Sequence, residues 1–432
     1  MMYILALLAS GCLLSAVNAQ WLETTVPAGN GPYALCHNPQ NDKVYCANVN
    51  GSNVTVINGA TNAVIATVAA DYGPSALCYN PTDNKVCCAN HSGCNVTVID
   101  GATDSVIATV PAGSGATTLC YNPQDDKVYC ANYYGDSVTV IDGATDAVLA
   151  NVVTHVRQWG LCYNSQNDKI YCTSYDSSAG YVNVIDGATN GVAEVDMGSY
   201  AQPWALCYDV RHNRVFCADR FGNSVTVIDG VTDTIVAEFG TGAFPYAFCY
   251  DQRDGEVYCA NRSDDSVTVI DGATNSVVAT VAVGHLPSAL CYDSAHNKVY
   301  CANAGSDDVT VIDAAAESIV TTITVGDEPR ALVHNPIQNR VYAANWGSGN
   351  VSVLRDSGGA GFEETIDDRR ATRNTSPTVL SGGAGVMRLA SCVVFDAMGR
   401  RVVNQRSGVF FVRDEGQGMR GEGRMRKVIV QR

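Results

Sequence analysis

One short sentence of sequence is written eight times along this chain, and that repeat constrains the fold more than any single residue does. The third copy runs Leu119-Cys120-Tyr121-Asn122-Pro123, then Lys127-Val128-Tyr129-Cys130-Ala131-Asn132, then Val138-Thr139-Val140-Ile141-Asp142-Gly143. Its first cysteine recurs at Cys36, Cys78, Cys120, Cys162, Cys207, Cys249 and Cys291, and Val333 takes its place in the eighth copy. Every step is 42 residues except one of 45, where extra residues enter around Ser177-Ser178-Ala179-Gly180 and Ser199-Tyr200-Ala201. A fixed period of this length means stacked copies of one supersecondary unit that cannot bury its apolar faces alone.

Each copy holds four short segments. In the second copy Ala76-Leu77-Cys78-Tyr79 is followed by the turn-forming cluster Asn80-Pro81-Thr82-Asp83-Asn84. Lys85 to Ala89 is the second segment, and Val96-Thr97-Val98-Ile99 is a β-branched third that closes on Asp100-Gly101. Val106 to Val110 is the fourth. Four strands with apolar residues on both faces make a sheet that must be covered twice, and radial stacking does that. Leu22-Glu23-Thr24-Thr25-Val26 resembles a fourth segment yet precedes the first copy, while the eighth copy ends after Val351-Ser352-Val353-Leu354. The first strand is therefore expected to complete the last blade and remove an exposed edge. The expectation is an all-β, eight-bladed propeller of four-stranded antiparallel blades. Seven blades, or an open solenoid, are the alternatives.

Val128-Tyr129-Cys130-Ala131-Asn132, followed by Val138 to Thr145 and a closing apolar strand, resembles the YVTN-type β-propeller repeat over residues 21–355. Members of that family are typically seven-bladed, so eight copies here are a departure.

With 432 residues, 46% of them hydrophobic, the chain can bury a large core. No internal apolar run reaches the ~18 residues of a membrane-spanning helix. Tyr3-Ile4-Leu5-Ala6-Leu7-Leu8 opens an apolar stretch ending at Val17-Asn18-Ala19, which reads as a cleaved signal peptide over 1–19. A lipoprotein signal around Ala9-Ser10-Gly11-Cys12 is the alternative. From Arg369 onward there are 13 Lys and Arg against 4 Asp and Glu, leaving 14 against 39 before it, a net of −25. So acidic a body argues against nucleic-acid binding.

Seven copies carry two cysteines ten residues apart: Cys36/Cys46, Cys78/Cys88, Cys120/Cys130, Cys162/Cys172, Cys207/Cys217, Cys249/Cys259 and Cys291/Cys301. The eighth loses both, to Val333 and Ala343, as a pair bonded within one blade would predict. Disulfides between adjacent strands are thus expected in an oxidising compartment. The alternative is cysteine as a small apolar residue where blades stack. No histidine recurs beside the cysteines, so no metal site is expected, and Cys87, Cys94 and Cys392 have no partner within the repeat.

The turn after the first strand and the Asp-Gly-Ala-Thr turn are nearly constant, whereas the other two connections differ in every copy. Between second and third strands lie Tyr133, Tyr134, Tyr175, Arg220-Phe221, Arg262 and Trp346. Between fourth and first lie Tyr33, Tyr72, His155, Arg157, Trp159, Trp204, Phe244, Tyr246, His285 and Arg330. In a four-strand meander both sets emerge on one face. Variable loops on a rigid scaffold are where binding sits, and Trp, Tyr and Arg are its usual anchors. Tyr133, Tyr134, Arg157, Trp159, Tyr175, Trp204, Arg220, Arg262, Arg330 and Trp346 are the binding candidates. No nucleophile elbow, zincin motif or phosphate loop appears, and the seven histidines lack ligand spacing. No catalytic residue or cofactor is assigned. A non-enzymatic scaffold that binds a protein or glycan is expected. The rival is an extracellular hydrolase or lyase with its site in the central channel.

Residues 356–376 read as a linker. Val393-Val394-Phe395-Asp396-Ala397-Met398-Gly399-Arg400-Arg401-Val402, then Ser407 to Arg413, then Arg426 to Arg432 resemble the C-terminal sorting domain of type IX secretion substrates. That resemblance covers 388–432, within a domain spanning 377–432. It implies secretion to the medium or the cell surface, with the type IX machinery as a partner.

Overall fold

The computed structural model describes residues 20–356 completely and, beyond them, the backbone of four short strands. Residues 20–356 form eight four-stranded antiparallel sheets, each a meander of one repeat. Blade 1 runs Pro32–Asn38, Lys43–Asn48, Asn53–Asn58 and Val64–Ala69. In blade 8, Pro329–Asn335, Arg340–Asn345 and Asn350–Asp356 are joined by Gln20–Pro27, which pairs antiparallel with the last of these. The chain's first strand thus closes the ring, and the blade count is eight.

The first strands of successive blades pack on one another around the axis. Core sits between blades rather than within them. Tyr45, Ala47, Val54 and Val56 of blade 1 face Val86, Cys88 and Ile99 of blade 2, all fully buried. The large side chain of each seam comes from the middle of the second strand: Tyr45, Tyr129, Tyr171, Phe216, Tyr258, Tyr300 and Tyr342, with Cys87 standing there in blade 2.

Polar straps tie the seams. Lys43 donates from Nζ to Gly101 O at 2.9 Å and to the Asp104 carboxylate at 2.9 Å in the next blade, where Tyr45 also donates to Asp104 at 2.7 Å. Lys85 makes the same reach to Gly143 O and Asp146, and Lys169 to Gly230 O and Asp233. Arg340 closes the circle onto Gly59 O of blade 1 and pairs with Glu23. The constant turn is tight here: a Cβ on Gly101 would lie 2.5 Å from Asn38 Nδ2 and from Asn84 Oδ1, whereas blade 7 accommodates Ala314 at the equivalent position.

The expected within-blade disulfides are overturned by register. Cys36 stands opposite Tyr45, and Cys46 opposite Leu35. The two cysteines are one residue out of step, so their side chains leave opposite faces of the sheet. The same offset separates Cys78/Cys88, Cys120/Cys130, Cys162/Cys172, Cys207/Cys217, Cys249/Cys259 and Cys291/Cys301. All sixteen described cysteines are free thiols. They pack at the seams, Cys120 with Cys172, Cys207 with Cys259 and Cys249 with Cys301 of the following blade, as small apolar residues would.

Contacts divide the chain into Met1–Gly361 and Phe362–Arg432. The second unit holds a sheet in the order Leu380–Ser381, Met425–Gln431, Gly408–Asp414, Cys392–Phe395, its last three strands antiparallel. The leader over 1–19, all of the 356–376 linker after Asp356, and the segments joining the tail strands lie outside the described residues.

Candidate functional site at the channel mouth

Seven of the eight innermost strands begin with a β-bulge, blade 4 being the exception. Register shifts between Pro32 and Ala34, Pro74 and Ala76, Ala116 and Thr118, Pro245 and Ala247, Pro287 and Ala289, and Pro329 and Ala331. In blade 5 it shifts between Pro203 and Leu206. Bulges re-aim side chains, and the residue freed here is the one just after the proline position. Around the ring that position reads Tyr33, Ser75, Thr117, Trp159, Trp204, Tyr246, Ser288 and Arg330. A second position, just past the second strand, reads Val49, His91, Tyr133, Tyr175, Arg220, Arg262, Ala304 and Trp346.

The backbone joins the two positions in each blade. Val49 N donates to Gly31 O at 2.9 Å, His91 N to Gly73 O at 2.8 Å, and Tyr133 N to Gly115 O at 2.8 Å. Arg220, Arg262, Ala304 and Trp346 repeat the bond to Gln202, Phe244, Leu286 and Glu328. The residue supplying the accepting carbonyl takes a left-handed backbone in most blades, at Gly31, Gly73, Gly115, Phe244, Leu286 and Glu328. Blade 4 departs, since its first strand is only Leu161–Asn164. There the fully buried Gln158 accepts from Asn132 N at 2.8 Å and donates to His155 O at 2.7 Å, which fixes the loop presenting Arg157 and Trp159.

Aromatic rings run on from blade to blade. Tyr134 packs on Tyr133 at 4.9 Å, Tyr133 on Trp159 at 5.5 Å, Trp159 stacks on Trp204 at 4.0 Å, and Trp204 meets Tyr246 at 5.6 Å. Guanidinium groups lie over these rings: Arg220 4.0 Å above Trp204, Arg262 5.1 Å above Tyr246, Arg330 5.8 Å above Trp346 and Arg157 5.5 Å above Tyr175. Arg330 also pairs with Glu328 at 2.7 Å. Among the described residues no carboxylate pairs with Arg157, Arg220 or Arg262.

A cavity of about 360 Å³ opens here, lined by Tyr33, Ser75, His91, Thr117, Trp159 and Tyr246 among others. Burial pushes the Tyr33 phenol up, with the charges of Arg330 and Arg262 pulling the other way. Burial likewise lowers His91, leaving it neutral at physiological pH. A groove of about 860 Å³ between the outer strands of blades 8 and 1 has one ionisable wall residue, Glu23, already held by Arg340.

Of the ten sequence candidates Trp159 lines the cavity, and the other nine stand in the ring and guanidinium contacts around it, Tyr134 from a rim position 66% exposed. Tyr175 and Trp204 are buried, so they support the mouth rather than face it. His155, stacked on Tyr181 at 3.9 Å, and His285, paired with Asp265 at 2.9 Å, sit apart from the cavity. Ser75, Thr117 and His91 were not singled out by sequence, although their repeat positions match those of Trp159 and Arg262. Asp293, His296 and Asp356 could converge on a cation, but Lys298 already donates to Asp356 at 2.7 Å.

A family model for YNCE-like β-propellers matches residues 3–290. No curated protein matches the chain. Among solved structures, the Kuenenia stuttgartiensis hydrazine synthase aligns over 78% of this chain and 99% of its own, at 18% identity and a TM-score of 0.56. The dihydro-heme d1 dehydrogenase NirN, in complex with DHE, aligns over 78% and 75% at 14% identity and a TM-score of 0.64. At such identities the likeness speaks for the fold alone. By the match over 3–290, this chain belongs to the YNCE-like β-propeller family.

Proposed function

We propose that this protein is a secreted or cell-surface propeller whose work is non-enzymatic binding, with a protein or glycan taken at the channel mouth. One observation carries the reading. Two repeat positions at the mouth hold five and six residue types across the eight blades, while the strands and straps around them are held nearly constant. Drift in idle loops would scatter polar residues. Instead the variation supplies linked aromatic rings, three cations without acid partners, and a cavity of ligand size. The hydrolase or lyase reading lacks a comparable observation: His91, Tyr33 and Tyr246 are the ionisable residues lining the cavity, and none is paired, among the described residues, with a carboxylate that would poise it. Export by a type IX route rests on the resemblance of the tail.

Screening the full chain against arrays of glycans and envelope proteins tests the reading. Trp159→Ala and Trp346→Ala should each weaken the captured ligand about tenfold or more while leaving the fold intact by circular dichroism. A ligand held equally well by both variants would sink it.

A further inference from the structure

We infer that the ligand class taken at the mouth is a saccharide bearing a carboxylate, a uronate-type sugar, with Arg262 as the group that holds its acid. This rests on the mouth being the binding site. The first support is the state of Arg262. It is half-buried, has no carboxylate within ion-pair distance, and makes a single long hydrogen bond of 3.5 Å from Nη1 to Leu286 O. Many partly buried cations of this acidic chain are paired, as Lys43, Lys85, Lys169, Lys298 and Arg340 are, whereas Arg220 at the same mouth shares the unpaired state of Arg262. A guanidinium stripped of water with donors unspent is poorly placed until an anion arrives, and its planar fork suits a carboxylate.

The second support is position. Arg262 lies 5.1 Å over Tyr246 and within charge range of Tyr33, and both tyrosines line the cavity. Arg330 is already paired with Glu328 at 2.7 Å, which leaves Arg262 as the cation beside these tyrosines with no acid of its own.

The third is the hydroxyl-bearing wall of the cavity. Ser75 donates its hydroxyl proton to Ala116 O at 3.2 Å, Thr117 to Gly115 O at 2.6 Å and Thr118 to Trp159 O at 2.5 Å. With those protons committed, the three oxygens offer lone pairs. A ligand that fits must bring hydroxyl donors for them, an apolar face for the tyrosine rings and an acid for the arginine. A uronate sugar brings all three. Inorganic phosphate lacks the apolar face, and an aryl carboxylate leaves the acceptors unused.

Titration calorimetry of the full chain with trigalacturonate, and with galactotriose of the same length, decides it. Saturable binding of trigalacturonate is expected, with galactotriose at least about tenfold weaker. Arg262→Met should bring trigalacturonate down to the neutral sugar's level, Arg262→Lys should fall between, and Arg211→Met, on the turn face, should change nothing. Equal binding of the two sugars, or no effect of Arg262→Met, would overturn the carboxylate assignment and leave the mouth as a glycan site. Failure of both sugars, while an array ligand still depends on Trp159, would overturn the sugar class and leave the mouth standing. If the array ligand is also indifferent to Trp159, the site itself is misplaced.

Discussion

Cys36 and Cys46 show how much can hang on one residue. Spacing suggested partners, but the short turn after Asn38 fixes Asn38 against Lys43, and every later pair follows from it. A shift of one residue would have put the two sulfurs on the same face. Sequence comparison among copies could show that the cysteines vary together, not which face each takes. Among the described residues only Cys78 and Cys87 stand directly opposite each other across a strand pair, because blade 2 has cysteine where other blades have an aromatic residue. Burial pushes the thiols of Cys36, Cys87, Cys120, Cys207 and Cys291 up to about 12. Almost none is thiolate at neutral pH, so they should react slowly. Iodoacetamide should label the native protein slowly at these sites and rapidly after denaturation. Peptide mapping after mild oxidation should find no link between cysteines ten residues apart; a Cys78–Cys87 link is the within-blade bond the register allows.

At the scale of the element, the strap between blades is the unit that matters. Lysine or arginine opens the second strand in seven blades, and blade 6 has Glu256 instead. Its counterpart in the next turn is Glu317, where other turns carry Asp or Asn. Burial raises Glu256, and the Glu317 charge adds to it. Glu256→Lys should rebuild the strap onto Ala314 O and Glu317, adding about 1 kcal/mol and raising Tm by roughly 2 °C in calorimetry. A lower Tm would mean that the straps are incidental. The sign of the pH effect also follows. A carboxyl raised in the folded state binds its proton more tightly there, so the seam strengthens as pH falls into that raised range, and the lysine variant should lack this gain.

The closing seam behaves in the opposite way. Glu23 is held below its ordinary value chiefly by the Arg340 hydrogen bond. Its contribution is present above the ordinary carboxylate range and is lost as pH falls through the lowered value. Glu23→Gln should therefore lower Tm at about pH 7 and converge on the parent as pH falls through that lowered value. The seam itself was legible: a stray fourth strand before copy one and a missing fourth after copy eight leave one way to close.

For the whole molecule, the eightfold period carried the architecture because every blade must bury the same faces against its neighbour. The mouth was legible in part. Large residues such as Trp159, Arg262 and Trp346 stand out as departures from the repeat. Ser75 and Thr117 do not, because small polar residues in a loop look ordinary until a bulge turns them inward. The contribution of His91 likewise depends on blades 2 and 3 bringing its ring 6.4 Å from that of Tyr133. Side chains from different blades meet only once the ring has closed.

The central claim is that one asymmetric site sits at the mouth of a nearly symmetric ring. Hydrogen-exchange mass spectrometry of the full chain, with and without the strongest ligand from the arrays, tests it most directly. Slowed exchange is predicted in peptides spanning 31–33, 91–92, 157–160, 244–246 and 262, with the constant turns at 101–104 and 143–146 unchanged. Protection confined to those turns, or spread equally over all eight blades, would contradict it.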